Sequence, residues 1–385
     1  MSALTYWLWL AGVPALGAGN AARLLDDFGS PEAVYFADPA EFENKEITAA
    51  ARAGLLDKST RRVDGILEKC DALGIHILTL QDALYPDRLK QIYDPPAVLY
   101  VMGKLAPLDE TPLLTVVGSR TYTPYGEDVA RRMGYQLAKA GMAVVSGMAK
   151  GIDGCAMRGA LKAEGLTVAV LGCGADVVYP QENRALYEQI RQTGMIITEY
   201  PPGTPAASAN FPVRNRIMAA ISMGTLVIEA GARSGALITA RLANDYGRDV
   251  FCVPGSIVTP ESAGCHELIK AGAALVTNPA DILREYIPLF PHKLSPPGTQ
   301  AAPSRISRPE SSAGRGAPPK PSAERAPLPA DLSENQRLIL LSLADAPRIA
   351  DDIVAATGLA AAEVLGELTL LEIQGLVETL PGKRF

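Results

Sequence analysis

Histidine is scarce: His76, His266 and His292 are the only three in 385 residues, too few and too scattered for a zinc site built on imidazoles. The same scarcity leaves Ser119, Ser146 and Ser234 without a general base, and no Gly-x-Ser-x-Gly elbow occurs. Cysteine is limited to Cys70, Cys155, Cys173, Cys252 and Cys265, an odd count with no Cys-x-x-Cys pair. That excludes a disulfide framework and fits a reducing compartment. No apolar run approaches the ~20 residues of a spanning helix. The apolar N-terminus lacks a basic leader segment and stops at Gly12, unlike a signal peptide, so a cytoplasmic location is expected. Neither a Gly-x-Gly-x-x-Gly fingerprint nor a Walker A sequence is present. No metal, cofactor or catalytic residue is therefore expected.

Excess positive charge is also missing. The chain carries 36 Lys and Arg against 42 Asp and Glu, net −6, which argues against a protein that coats a polyanion by bulk electrostatics. The total conceals a distribution. Residues 1–109 and 331–385 are each net −5, residues 110–285 are neutral, and residues 286–330 are net +4. An anion site must then be focused, most plausibly in the neutral middle.

Thirty prolines are present, ten of them within residues 291–330 among Ser, Ala, Gly and Arg. Such a segment buries too little apolar surface to offset the entropy of ordering, so it reads as a disordered linker. It sets the domain plan: a helical N-terminal domain (1–68), an α/β core (69–290), the linker (291–330) and a tail domain (331–385). In the first, the turn Gly12–Gly19 before Asn20-Ala-Ala-Arg23 resembles a helix-hairpin-helix, whose backbone N–H groups face a DNA phosphate. Acidic surroundings with only Arg23 nearby favour a packing role instead.

From Ile75 the pattern becomes short apolar runs followed by Gly-rich turns. Strands are expected at 75–80, 97–102, 113–117, 143–145, 167–171, 195–198, 225–229, 250–253 and 274–277. Helices are expected between them, at 126–140, 155–164, 185–193 and 237–246. Continuous apolar strands alternating with helices predict a doubly wound, Rossmann-like parallel sheet covered on both faces, with ligands beyond the strands' carboxyl ends. The residues there are Gly118-Ser119-Arg120, then Ser146-Gly147 with Lys150-Gly151, then Gly172–Asp176. Next come Phe211 with Arg214-Asn215-Arg216, and Arg233-Ser234. Arg120, Lys150, Arg214, Arg216 and Arg233 all read as strand-to-helix loop residues converging on one sheet edge. Guanidinium groups grip phosphate and a phenyl ring stacks on any base. Asp153, Asp176, Glu199 and Glu229 read as caps or arginine partners rather than acid–base groups.

Taken in order, these motifs resemble the DNA-processing protein DprA (Smf) family. The resemblance rests on Tyr85-Pro86, Asp94-Pro-Pro96, Val117-Gly-Ser-Arg120, Ser146-Gly-x-Ala-x-Gly-Ile-Asp153 and Gly172-x-Gly-x-Asp-x-x-Tyr-Pro180 with Asn183. Phe211-Pro-x-Arg-Asn-Arg216, Glu229-Ala, Ser234-Gly-x-Leu-Ile-Thr239, Val253-Pro-Gly255 and Gly264-Cys-His-x-Leu-Ile269 complete it. It implies a non-enzymatic core that binds and protects single-stranded DNA without sequence preference and loads the RecA recombinase during natural transformation. It implies phosphate contacts at Arg120 and Lys150 with Arg214 and Arg216 beside them. It also implies a homodimer through the Cys265–Leu275 segment, with His266, Leu268, Ile269 and Leu275 at the contact. The helix over 237–246 corresponds to the region facing RecA. Base stacking on Phe211 is an expectation from its chemistry alone.

The tail reads as helices over 336–343, 349–356 and 361–374 followed by a β ribbon, which is similar to the winged helix of many DprA proteins. Its third helix carries Glu363, Glu367 and Glu372 and no base, which argues against reading a DNA groove. Two rivals remain. One is a nucleotide-cleaving, phosphoribohydrolase-like enzyme, for which Gly224-Thr225 and Glu229 are the only echo and the Pro-Gly-Gly is absent. The other is a transcription regulator, which the acidic tail disfavours.

Overall fold

The computed structural model describes residues 2–296, 332–343, 350–373 and 376–377. They fall in two compact units, divided after Pro303.

In the first unit nine strands form one sheet: β1 (His76–Thr79), β2 (Val98–Gly103), β3 (Leu113–Val117), β4 (Ala143–Ser146), β5 (Thr167–Val170), β6 (Met195–Thr198), β7 (Gly224–Val227), β8 (Asp249–Cys252) and β9 (Ala274–Leu275). Their spatial order is β1-β2-β6-β5-β4-β3-β7-β8-β9. The seven strands from β6 to β9 run parallel, whereas β1 pairs antiparallel with β2 and β2 antiparallel with β6. The sheet is thus mostly, not wholly, parallel. The connection from β1 to β2 carries only the one-turn helix Asp87–Lys90 and no helix that crosses a sheet face, as a parallel return requires. Chain order reverses between β3 and β7, which are hydrogen-bonded neighbours, and this is the topological switch point.

Alternation along the strands builds the layers. Leu114 and Val116 of β3 point into a core with the helices Pro124–Lys139, Ile152–Lys162 and Pro279–Tyr286. Leu113 and Val117 point the other way, toward the helices Asn210–Ile221, Ala236–Asp245 and Ala263–Lys270. The period of two is the pleat of a strand buried on both faces.

Five α-helices precede the sheet: Ala3–Ala11, Ala18–Phe28, Pro31–Phe36, Ala49–Leu56 and Arg61–Leu73. The last runs through the expected boundary at residue 68. Tyr6, Trp7, Leu10 and Leu24 share one core with Val98, Tyr100 and Met102 of β2 and with Ile190. These helices are therefore a wing of the sheet's own core. In the hairpin turn, Val13 and Leu16 are buried. Arg23 is occupied by Asn20 Oδ1 and by Glu46.

In the second unit the helices Glu334–Ser342, Ala350–Thr357 and Ala361–Ile373 close around Ile339, Ile353, Val364, Leu368 and Leu371. The expected linker from residue 297 onward, and the expected ribbon apart from Leu376 and Val377, lie outside the described residues.

Candidate functional site

A cleft of about 930 Å³ opens at the switch point, between the loops that follow β3 and β7. The β3 loop lies low because its backbone is already used. Ser119 N–H donates to the Glu229 carbonyl (2.7 Å), the Ser119 carbonyl accepts from Ile152 N–H (3.2 Å), and Ser119 Oγ accepts from Thr121 N–H (3.2 Å). Gly151 closes that junction at φ 95°, where a Cβ would lie 2.3 Å from the Ser119 oxygen. The Arg120 side chain rises from the loop, beside the exposed Thr121 and Tyr122. It is exposed, has no hydrogen bond or ion pair among the described residues, and lies over the Phe211 ring with Cζ 5.6 Å from its centroid. Tyr179 stacks on the same ring at 5.3 Å and 23°. Gly172 makes room for Phe211, since a Cβ there would meet Cδ1 at 2.9 Å. Across the cleft Arg233 is exposed and likewise unpaired among the described residues.

Lys150 stands at a second, smaller cavity of about 390 Å³. Its ammonium pairs with Glu182 at 3.1 Å, with both side chains more than 60% exposed (64% and 62%). Such a surface pair contributes ~0–1 kcal/mol, so an arriving phosphate can displace the carboxylate.

Not every expected residue is an exposed loop residue at the cleft. Arg214 and Arg216 lie inside the helix Asn210–Ile221, not in a loop, and both are only 4% exposed. Arg216 does not join the cationic edge: its guanidinium grips Glu199 bidentately (3.0 and 2.7 Å) and its Nε donates to Asp94 (3.0 Å). Arg214, though buried, lines the floor of both cavities and is fixed there, donating to the Gly147 and Val170 carbonyls and to Asn215 Oδ1. Burial pulls its pKa down to about 10, against the attraction of Asp153, so it stays charged at neutral pH. Asn215 is buried with it. Ser146 is also inaccessible, with its hydroxyl donating to the Val116 carbonyl (2.6 Å). Ser234 is half-buried, with Oγ accepting from Ala236 N–H (3.3 Å) at the start of the helix Ala236–Asp245. Gly118 is half-buried and Gly147 buried. At Gly147 a Cβ would lie 2.3 Å from Arg214 Nη2. Gly147→Ala is accordingly expected to destabilise the fold by ~1–3 kcal/mol, read as a lowered urea midpoint. An unchanged midpoint would show that Arg214 is not locked there.

The carboxylates are structural partners. Glu229 is 1% exposed and accepts from both Thr123 N–H (3.0 Å) and Thr123 Oγ1–H, anchoring the start of the helix Pro124–Lys139. Glu199 holds Arg216, Asp176 accepts from Gly203 N–H (2.8 Å), and Asp153 is buried, its carboxyl pushed up by desolvation. Burial also pushes the Cys173 thiol up to about 11, so it is no nucleophile at neutral pH. Tyr179, which the sequence offers only within the motif ending in Tyr-Pro180, also lines both cavities. The aromatic three residues past Asp176 was the available signal.

In the segment expected to mediate self-association, the helix Ala263–Lys270 turns Leu268 and Ile269 partly into the core, and His266 Nε2 contacts the Gly255 carbonyl (3.0 Å). Leu275 on the edge strand β9 is 51% exposed.

Comparison with known proteins matches both units of the chain. Residues 76–287 match the family model of DNA recombination-mediator protein A, and residues 322–383 match the DprA winged helix domain. Protein Smf of Synechocystis sp. is 36% identical over 400 residues, covering 99% of this chain and 98% of that protein. DNA processing protein DprA of Streptococcus pneumoniae is 43% identical over 208 residues, 54% of this chain and 73% of the relative. The X-ray structure of DprA from S. pneumoniae superposes with a TM-score of 0.65 at 33% identity, covering 73% of this chain and 97% of that one. DNA processing protein A from Helicobacter pylori, whose structure concerns a single-stranded DNA binding mode, gives 0.50 at 30% identity over 57% and 98%. Two family models in register with the two units, and a relative matched end to end, leave one conclusion: the chain belongs to the DprA (Smf) family of DNA recombination-mediator proteins.

Proposed function

We propose that this protein binds single-stranded DNA without sequence preference, as a cytoplasmic DNA-processing protein of transformation and homologous recombination. The observation that carries the reading is the pair of exposed arginines, Arg120 and Arg233, without an ion pair among the described residues, both lining a switch-point cleft with an aromatic stack in its wall. Cations grip the backbone while rings accept any base, the combination single-strand binders use. Binding rather than catalysis is supported by Glu229, which lies behind a helix start with both oxygens engaged. Handover of the strand to RecA, and pairing of two copies through His266, Leu268, Ile269 and Leu275, rest on family membership and belong to the same proposal. The roles assigned to Gly118, Ser119, Gly151 and Ser234 are those of loop residues that shape the cleft.

Fluorescence anisotropy of the full chain with oligo-dT and with duplex of equal length tests this. Oligo-dT is expected to bind more tightly, with log K falling against log salt at a slope of about −2, for roughly three phosphates at ~0.7 each. Equal affinity for the duplex, or indifference to salt, would sink the reading.

A further inference from the structure

All five cysteines are buried free thiols, as a reducing compartment keeps them. Cys252 and Cys265 differ from the other three in acting on each other. Cys252 ends the strand β8, and Cys265 lies in the first turn of the helix Ala263–Lys270, in the same core. Their thiols are hydrogen-bond partners, Cys252 S–H donating to Cys265 Sγ. The Ala230 N–H donates to that sulfur too, and the Ile228 carbonyl stands 3.8 Å from it. Two donors on one sulfur favour its thiolate, so the Cys265 thiol lies below its ordinary value although burial opposes this. Cys252 is pushed up and keeps its proton, and burial raises Cys70, Cys155 and Cys173 as well. A lowered thiol beside a second thiol is the arrangement of an attacking and a resolving cysteine.

Both sulfurs are buried, so access depends on the first turn of that helix. Ser262 gives the turn no side-chain cap, and Gly264 N–H ties it to the Ala230 carbonyl at 2.7 Å. Gly231 and Ala263, the neighbours of that tie, line the larger cavity. Fraying of this one turn opens the pair to a small solute in the cleft.

We propose that Cys252 and Cys265 form a redox pair, oxidised by a hydroperoxide to a disulfide that displaces the self-association segment. The Cys265 thiolate attacks the outer peroxide oxygen, and the O–O bond breaks. A sulfenic acid remains on Cys265, while the departing hydroxide or alkoxide takes up a proton. Cys252 then attacks that sulfur, the S–O bond breaks, and the leaving hydroxide takes the Cys252 proton to become water. Two electrons have passed to the peroxide, and a dithiol reductant returns both thiols. The bond draws the sulfurs from contact to about 2.0 Å. The short Gly264–Ala230 hydrogen bond resists a straight inward shift, so the helix turns, and His266, Leu268 and Ile269 turn with it. This consequence rests on the self-association reading above; the thiol chemistry does not.

The test treats the full chain with hydrogen peroxide, alkylates it under denaturing conditions and counts blocked thiols by mass. Reduced protein is expected to show all five blocked, and oxidised protein all but Cys252 and Cys265, which peptide mapping finds bridged. Dithiothreitol is expected to restore the full count. Dimedone is expected to trap a sulfenic acid on Cys265 in Cys252→Ala, and none on Cys252 in Cys265→Ala. Sedimentation is expected to show self-association about tenfold weaker in the oxidised wild type and recovered after dithiothreitol. Five free thiols after peroxide, a bridge elsewhere, dimedone on Cys252, or equal self-association of bridged and reduced chains would overturn the proposal. Each leaves the self-association reading intact. A reduced chain that stays monomeric would overturn both.

Discussion

Arg120→Ala is expected to weaken oligo-dT binding about thirtyfold, corresponding to ~2 kcal/mol for one charge-assisted contact to a phosphate. The loss should be the same for dT, dC and dA oligomers, because the arginine meets the backbone and not a base edge. The salt slope should become shallower by ~0.7, one phosphate's worth. Arg120→Lys separates the two uses of the side chain. It keeps the charge and hence the slope, but an ammonium cannot lie flat on Phe211 as a guanidinium does, so affinity should recover only in part. Anisotropy titrations at four salt concentrations settle it. A sequence-dependent loss, or an affinity equal to wild type, would place the phosphate elsewhere.

Arg216→Met is expected to act on stability and not on DNA. Removing the guanidinium leaves Asp94 and Glu199 facing each other with side chains only 18% and 15% exposed, and breaking such a buried set costs ~3–5 kcal/mol. Burial already raises the Asp94 carboxyl above its ordinary value against the pull of Arg216. Without the arginine the folded-state value rises further, so the folded state holds more protons than the unfolded one. Stability then declines as pH rises from about 4 through the raised value. The deficit relative to wild type should accordingly be larger at pH 7.5 than at pH 5 in urea unfolding. Folded Arg216→Met should bind oligo-dT as wild type does. Full stability with lost DNA binding would mean that Arg216 faces the strand after all.

The strands were legible because a strand buried on both faces is a continuous apolar run. Leu113–Val117 and Met195–Thr198 coincide with their expected bounds. The antiparallel pairing of β1 and β2 was less so, since the direction of a strand leaves no trace in its own residues. Arg120, Lys150 and Arg233 were readable as exposed loop cations because a short loop after a parallel strand has nowhere to hide a charge. The burial of Arg214 and Arg216 was not. Their helix is buried nearly all round from residue 214 to 221, so it shows no polar stripe to betray it. The partner that neutralises Arg216 from one side, Asp94, lies 122 residues away. The stacking of Tyr179 on Phe211 escaped for a related reason: the two rings are 32 residues apart, and spacing carries no record of their contact.

The loop after β4 has one property with a kinetic meaning. Met148 sits at φ 52°, a left-handed conformation costly for a side chain of its size. Asn183 holds it there, its amide donating to the Met148 and Ala149 carbonyls at 3.0 and 3.1 Å, while Arg158 fixes the Asn183 oxygen at 2.7 Å. A loop so braced does not have to order itself when a ligand arrives. Encounter is then governed by diffusion and charge, without a slow closing step, and leaving requires only that a few contacts break, without a lid to open. Fast exchange at each contact is the kinetic consequence of that bracing.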